Sequence, residues 1–287
     1  MRPLRTALEM TGGMSELNQA IYRSSQDSVR ATFGKDRGKA IAYYAPLLDF
    51  VSSVQPPQRL ALPTRLLDVG CGSGWSTLAF AEAGYDATGV DLNPAAFEPP
   101  PHESLHLGQG SAIDIPFPEN SFDVVVCYQC IEHVPDPGRA LKEMMRVCRS
   151  GGIVAIVGPN LVSPLPGLAY AVKPSSWRSL RFWRRPGMPR HPYGNTVPEI
   201  LGVALLRLAQ LCIKAAAGPH FTMREPDTAP PFHADNDACY LCNPIDLIKY
   251  FKSLGCSIER GGKPGRPAFA YALAGGTWVA ARKPLAG

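Results

Sequence analysis

Leu67-Asp-Val-Gly-Cys-Gly-Ser-Gly-Trp75 is the stretch on which the reading of the fold turns. It starts inside a short apolar run, Arg65-Leu-Leu-Asp-Val69, puts glycines at 70, 72 and 74, and leads into a predicted helix from Trp75 to Ala83. Strand, glycine turn and helix in this order make a loop whose backbone can turn sharply and approach a ligand with no Cβ in the way. In an open parallel sheet such a loop lies at the carboxyl edge, where ligands bind. The glycines alone admit two readings, a cofactor loop or a tight structural turn. The next predicted strand, Ala87-Thr-Gly-Val-Asp91, ends in an acidic residue 23 positions after Asp68. An acid there can accept hydrogen bonds from both hydroxyls of a ribose, and the combination favours the cofactor loop.

Outward from this centre the chain keeps alternating. Strands are predicted near Leu105 to Leu107, at Phe122 to Tyr128 and at Ile153 to Val157, with a helix from Gly138 to Cys148. Strands joined by crossover helices imply a parallel sheet covered on both faces. Two helices, Ser15 to Arg30 and Arg37 to Val51, precede it, and Pro56-Pro57 closes that leader. After the fifth strand the rhythm breaks: twelve of the 29 prolines fall between Pro159 and Pro231. Within that stretch Thr196-Val-Pro-Glu199 resembles a capping box and opens an apolar helix, Ile200 to Ala217, with Arg207, Gln210 and Lys214 on one narrow polar stripe. A further helix starts at Asn243 as N-cap with Pro244 at its first position and stops at Gly255. Cys256 to Arg260 and Thr277 to Ala281 have the length and composition to finish the sheet.

Composition narrows the function classes. The chain has 287 residues, 45% hydrophobic and 18% charged, which excludes a disordered polymer. Its 29 Lys and Arg against 24 Asp and Glu leave a net charge of only +5, and no RNA-binding signature appears, so nucleic acid is not an expected partner. Eight cysteines in a full-sized domain point to reduced thiols rather than a disulfide scaffold. Met1 to Asn18 lacks the apolar core of a signal peptide, and the uncharged run from Ser150 to Val172 is interrupted by glycines and prolines that a lipid-exposed helix would not tolerate. A cytoplasmic location is expected.

The third glycine comes one residue earlier than in the Gly-x-Gly-x-x-Gly turn of dinucleotide-binding folds. The spacing instead resembles the class I S-adenosylmethionine-dependent methyltransferases. Gly89-Val-Asp-Leu-Asn-Pro94, Ile113-Asp-Ile-Pro-Phe-Pro-Glu-Asn-Ser-Phe-Asp123, Cys130-Ile-Glu-His-Val134 and Arg149-Ser-Gly-Gly-Ile153 extend the match in order and spacing over about residues 60 to 160. The resemblance implies a Rossmann-like α/β fold: a doubly wound, mostly parallel seven-stranded sheet ending in an antiparallel hairpin. The expected divisions are a helical N-terminal leader or lid (1–58), a cofactor-binding core (59–160), a Pro-rich, basic and aromatic insertion after strand five that caps the acceptor (161–236), and a C-terminal helix with the final strands (237–287). Carried over position by position, Asp68, Gly70, Cys71, Gly72 and Gly74 would surround the methionine half of the cofactor. Asp91 would hold the ribose, Leu92 would pack on adenine, and Ser111 with Ala112 would meet the polar edge of the base, with Gln129 completing the cofactor contacts. Ser111 stands where the family usually has an aspartate, and Asp114 is close enough in sequence to substitute.

Cys127-Tyr-Gln-Cys-Ile-Glu-His-Val-Pro-Asp-Pro137 resembles the ubiquinone-type O-methyltransferases. His133 is the candidate general base, its ordinary pKa suiting it to take a proton from a hydroxyl. It can equally pack against the cofactor or cap a turn. Gln129 replaces a carboxylate such a site would need for a metal, and Cys127-x-x-Cys130 with Cys239-x-x-Cys242, despite zinc-like spacing, includes a cysteine ending an apolar strand, so no metal is expected. Lys173 to Arg190 carries six cations and no acid, interleaved with Trp177, Phe182 and Trp183. That pattern suits an anionic membrane at the inner face, a lipid-linked phosphate or, less well at a net charge of +5, nucleic acid, or simply a solvated loop. His233-Ala-Asp-Asn-Asp-Ala-Cys-Tyr240 resembles a bacterial subset of methyltransferases associated with glycan biosynthesis, which would place His233, Asp235, Asp237 and Tyr240 around a polyhydroxylated acceptor. The expected activity is methyl transfer from S-adenosylmethionine to a hydroxyl of a small-molecule, glycan or lipid-linked acceptor, leaving S-adenosylhomocysteine. The alternatives are a quinone-type or natural-product O-methyltransferase and a non-catalytic cofactor-binding module.

Overall fold

The computed structural model describes residues 36–58, 62–164, 197–225, 238–262 and 276–285. The expected helix Ser15 to Arg30, the basic run Lys173 to Arg190, the capping residue Thr196 and the acceptor candidates His233, Asp235 and Asp237 lie outside them. In chain order the elements are α1 (Arg37–Ser52), β1 (Arg65–Val69), α2 (Trp75–Glu82), β2 (Asp86–Asp91), β3 (Leu105–Gln109) and β4 (Phe122–Tyr128). They continue with α3 (Pro137–Val147), β5 (Cys148–Gly158), α4 (Val197–Ala216), α5 (Pro244–Ser253), β6 (Ser257–Gly261) and β7 (Thr277–Arg282).

The seven strands form one sheet in the order β3-β2-β1-β4-β5-β7-β6, parallel except for β7, which runs antiparallel to both its neighbours. Strand order reverses between β1 and β4, so their carboxyl ends open a crevice at the switch point. β4 shows why its sequence is a continuous apolar run: Val125 and Cys127 enter the core under α3 and α5, while Val124 and Val126 enter the core under α1 and α2. The leader helix α1 belongs to that second layer. Asp36 caps it by accepting from the Lys39 amide at 2.9 Å, and Ala40, Tyr44, Leu47, Phe50 and Val51 form its buried face.

On the opposite side, α3 begins at Asp136, which accepts from the Arg139 amide at 2.9 Å, with Pro137 pre-set at the first position. Its Arg146 guanidinium donates to the carbonyls of Phe117 and Ile115 at 2.8 and 2.9 Å, while Glu143 accepts from the Ile115 amide at 3.0 Å. These bonds fix the loop that follows Ser111. The helix expected to reach Cys148 stops at Val147, because the chain enters β5 at once and turns through Gly151 at φ +73°.

In α4 the polar stripe faces the domain. Arg207 donates to the Ser163 carbonyl at 3.1 Å, and the buried Lys214 ammonium pairs with Asp246 of α5 at 2.6 Å and donates to the His220 carbonyl at 3.0 Å. Asp246 also accepts from Asn243, which in turn caps α5 by accepting from the Asp246 amide. Among the described residues no helix is long and apolar enough to cross a membrane.

Candidate functional site

β1, β2 and β4 deliver their carboxyl ends to one place. After Val69 the chain turns through Gly70, Gly72 and Gly74 at φ +72°, +57° and +90°, a left-handed region costly for residues with a Cβ. The Gly70 and Cys71 amides both donate to the Val90 carbonyl, at 2.8 and 3.1 Å, fastening the loop to the neighbouring strand. A Cβ at Gly70 would sit 2.2 Å from the Cys130 sulfur, and one at Gly74 would sit 2.9 Å from Leu107. Here glycine is required by packing as well as by angle.

Asp91 is buried at the end of β2. One of its oxygens accepts from the Gly72 amide at 2.9 Å and the other from the Asn93 amide at 3.0 Å. A carboxylate oxygen can accept more than one bond, so this pair can also receive two hydroxyls. Beside it Leu92 is 41% exposed, an apolar side chain held in the open next to an acid.

Asp68 lies behind the loop and is 1% exposed. Its Oδ2 accepts from the hydroxyls of Ser76 and Thr77 at 2.6 and 2.9 Å, whereas its Oδ1 is buried and has no donor among the described residues. Burial pushes this carboxyl up to about 6, against the lowering effect of the two hydroxyls and with a smaller contribution from Asp91. A buried acceptor without a donor is expensive unless a ligand supplies one, and an ammonium group would do so. Burial likewise pushes the Cys71 thiol well above its ordinary range, making it a wall of the loop rather than a nucleophile.

The remaining predicted residues gather around this crevice. Ser111 is half-buried, its hydroxyl accepting from the Ile113 amide at 3.4 Å, and it pairs as an isolated bridge with Asp114, which is exposed. Gly110 donates to the Asp91 carbonyl at 3.0 Å, tying this segment to the end of β2. Gln129 holds a left-handed backbone at φ +51° directly after β4, with its amide bonded to the Val157 carbonyl at 2.7 Å. Strain of this kind in a residue other than glycine collects at functional sites. Next comes the short turn Ile131–His133, with the Glu132 carboxylate fully buried and the His133 imidazole 3.9 Å from it and 30% exposed.

Two features were not foreseen. Glu98 accepts from the Trp75 indole at 3.2 Å and donates its amide to the Ser73 carbonyl at 3.0 Å, so the loop after β2 closes over the glycine turn. Its partners are 23 and 25 residues away, and no periodicity announces such a contact. Tyr44 of α1 packs edge-on against Tyr128 at the end of β4, ring centroids 5.8 Å apart. Burial raises its pKa first of all, and the nearby Tyr128, Asp68 and Cys71 add to the effect, which puts the leader helix beside the loop.

Tyr240 is placed differently from the sequence reading. Rather than lining a pocket, its side chain is fully buried, edge-on to Phe221 at 5.4 Å. The backbone of this segment docks on the site instead: the Cys239 and Tyr240 amides both donate to the Glu132 carbonyl, at 2.8 and 3.0 Å. A cleft under α4, lined by Val162, Gln210, Ile213, Lys214, Thr222 and Leu241 among others, shares no residue with the glycine loop.

A protein family described as "Methyltransferase domain" matches residues 67–156, the span from the glycine loop to β5. Over these residues the chain carries a methyltransferase domain. Its relatives include ajmaline N-methyltransferase of Rauvolfia serpentina, 30% identical over 161 residues, or 53% of this chain and 54% of that protein. They also include 2-methyl-6-phytyl-1,4-hydroquinone methyltransferase 2 of Oryza sativa subsp. japonica, 34% identical over 113 residues, 37% of this chain and 32% of that protein. The chain thus spans about half or less of the length of these curated relatives. A solved structure of a putative S-adenosylmethionine-dependent methyltransferase from Listeria monocytogenes shares the fold at TM-score 0.50, with 15% identity, 83% of this chain and 99% of that chain covered. S-adenosylmethionine is the cofactor of the methyltransferase domain, and the orphaned Asp68 oxygen, the open glycine turn and the Asp91 carboxylate fit its ammonium, its chain and its ribose.

Proposed function

We propose that this protein transfers a methyl group to a hydroxyl of a small-molecule acceptor, a glycan or lipid-linked compound handled at the inner membrane face. The observation that carries the reading is the buried Asp91 carboxylate, which braces the glycine turn through the Gly72 amide at the sheet's switch point, where this reading has it hold a ribose. S-adenosylmethionine supplies an electrophilic methyl group on a sulfonium when bound. The chain's own residues do the rest. Asp91 orients the ribose, Asp68 receives the ammonium, Leu92 supports the base, and Ser111, Ala112 and Gln129 border it. Much of the rate can come from holding the acceptor oxygen in line at about 3 to 3.5 Å from the methyl group.

His133 is the proton acceptor in this reading. Its imidazole, 30% exposed, sits in the turn that follows β4 and lies 3.9 Å from the buried Glu132 side chain, within reach of an acceptor bound at this sheet edge. A second reading, a quinone-type or natural-product acceptor, draws support from the ajmaline and 2-methyl-6-phytyl-1,4-hydroquinone in the names of the two relatives. Methyl-labelled cofactor incubated with fractionated lipid, polysaccharide and quinone extracts separates these readings. Label in the lipid or polysaccharide fraction, as an ether stable to mild base, supports the first. Label in the quinone fraction supports the second, and binding without label transfer to any fraction supports a non-catalytic module.

A further inference from the structure

The connection from β2 to β3 grips the glycine turn along its length. Parallel strands are ordinarily joined by a crossover helix, but residues 92–104 form one short 3₁₀ turn, Pro94–Ala96, and carry prolines at 94, 99, 100 and 101. Four consecutive residues of the turn are held from the end of β2 and this segment. The Gly72 amide donates to Asp91 Oδ2 at 2.9 Å, and the Ser73 carbonyl accepts from the Glu98 amide at 3.0 Å. A Cβ at Gly74 would sit 3.3 Å from Pro99, and the indole of the buried Trp75 donates to Glu98 Oε2 at 3.2 Å. The segment is itself pinned at its start, where Asp91 Oδ1 accepts from the Asn93 amide at 3.0 Å and the Leu92 carbonyl accepts from Gln109 Nε2 at 3.2 Å. Proline has no amide hydrogen, so Glu98 supplies the last backbone donor before Pro99, Pro100 and Pro101.

We propose that Glu98 is a positioning residue for the cofactor site: through Trp75 and Ser73 it holds the glycine turn in the shape that receives S-adenosylmethionine. The inference rests on the reading of this crevice as the cofactor site and names a residue outside the motif that prepares it. Glycine loses more conformational freedom on ordering than any other residue, so a turn with glycines at 70, 72 and 74 has much to lose when a ligand fixes it. A turn already fixed in the free protein spares the ligand that cost, and affinity rises accordingly. Asp91 fixes the peptide unit at Gly72, and Glu98 fixes the residues that follow, up to the start of α2.

The test is calorimetric titration of the full chain with S-adenosylmethionine, at a temperature where circular dichroism shows each variant folded. Glu98→Ala is expected to bind about tenfold more weakly than wild type. Glu98→Gln keeps a side-chain oxygen that can accept from the indole and should bind within about twofold of wild type. Trp75→Phe removes the donor while keeping an aromatic ring, and Glu98→Ala/Trp75→Phe should bind no more weakly than the weaker single variant, because both changes break one bond. Amide hydrogen exchange of the cofactor-free proteins should show Gly72 to Trp75 opening faster in Glu98→Ala than in wild type or Glu98→Gln. Wild-type affinity in Glu98→Ala, with or without a lowered denaturation midpoint, overturns the proposal; a loss in Asp91→Ala under the same conditions would leave the cofactor site standing, whereas unchanged affinity in both variants removes the site reading as well. Additive losses in the double variant, or Glu98→Gln as weak as Glu98→Ala, also overturn it.

Discussion

Replacing Asp68 by Asn isolates the cost of keeping a charge behind the glycine loop. An asparagine retains an oxygen for the Ser76 and Thr77 hydroxyls and loses the charge. In the folded chain the carboxyl keeps its proton up to about pH 6, against an ordinary value of 3.8. Because the folded form binds the proton more tightly, this group's contribution to stability is fully present below about pH 3.8 and is lost as the pH rises through about 6. At about 1.4 kcal/mol per pH unit the loss amounts to about 3 kcal/mol. The side-chain amide of the Asp68→Asn variant has no such proton to lose. Urea denaturation of the cofactor-free proteins at about pH 4 and about pH 7.5 should therefore show the variant gaining about 2 to 3 kcal/mol on wild type between the two conditions. In the proposed reading the cofactor's ammonium donates to the orphaned Asp68 oxygen, so saturating S-adenosylmethionine, which adds stability by binding the native state, should stabilise wild type more than the variant. A stability difference that does not change with pH, or a variant that falls behind at the higher pH, would refute the burial argument.

Gly70→Ala meets both a left-handed backbone and the Cys130 sulfur, and is expected to destabilise the protein by about 1 to 3 kcal/mol in the same denaturation assay. Lys214→Met leaves Asp246 buried without its cation and should cost about 3 to 5 kcal/mol, much of it regained in Lys214→Met/Asp246→Asn; a cost retained in full by the double variant would show that the pair is not the anchor of α4. His133→Gln is expected to lower kcat by about 10²- to 10⁴-fold while leaving cofactor affinity unchanged, as read by single-turnover methyl transfer and by titration. A kcat within a factor of about two would assign His133 to packing instead.

Wherever local chemistry dictates structure, the fold was legible. Asn243 with Pro244, Gly70 with Gly72 and Gly74, and the apolar runs of β1 and β4 each carry their own signal, and the elements begin and end within a few residues of their expected positions. The site was legible to the extent that it lies on those turns, which bring Asp68, the glycines, Asp91, Ser111 and Gln129 to one sheet edge. What the sequence hid are contacts between distant segments. Glu98 folding over Ser73 and Trp75, and Tyr44 reaching Tyr128, depend on tertiary packing that no spacing rule encodes. Tyr240 illustrates the opposite error: a polar-looking neighbourhood suggests an open pocket, but the backbone amides of Cys239 and Tyr240 bind Glu132 and draw the ring into the core. The stripe of α4 was visible as a pattern, while its direction was fixed only by Asp246 on another helix.

Calorimetric titration of wild type and Asp91→Ala with S-adenosylmethionine tests most directly whether this crevice is the cofactor site. Wild type should bind one equivalent, and the variant should lose about 1.5 to 3 kcal/mol, or roughly tenfold to over a hundredfold in affinity, because the ribose hydroxyls lose their acceptors. The Gly72 and Asn93 amides lose theirs as well, so Asp91→Ala should also be less stable without ligand by about 1 kcal/mol. Asp91→Asn, which keeps one carbonyl oxygen, should fall between the two. An unchanged dissociation constant in Asp91→Ala, or no binding by the wild type, would contradict the assignment.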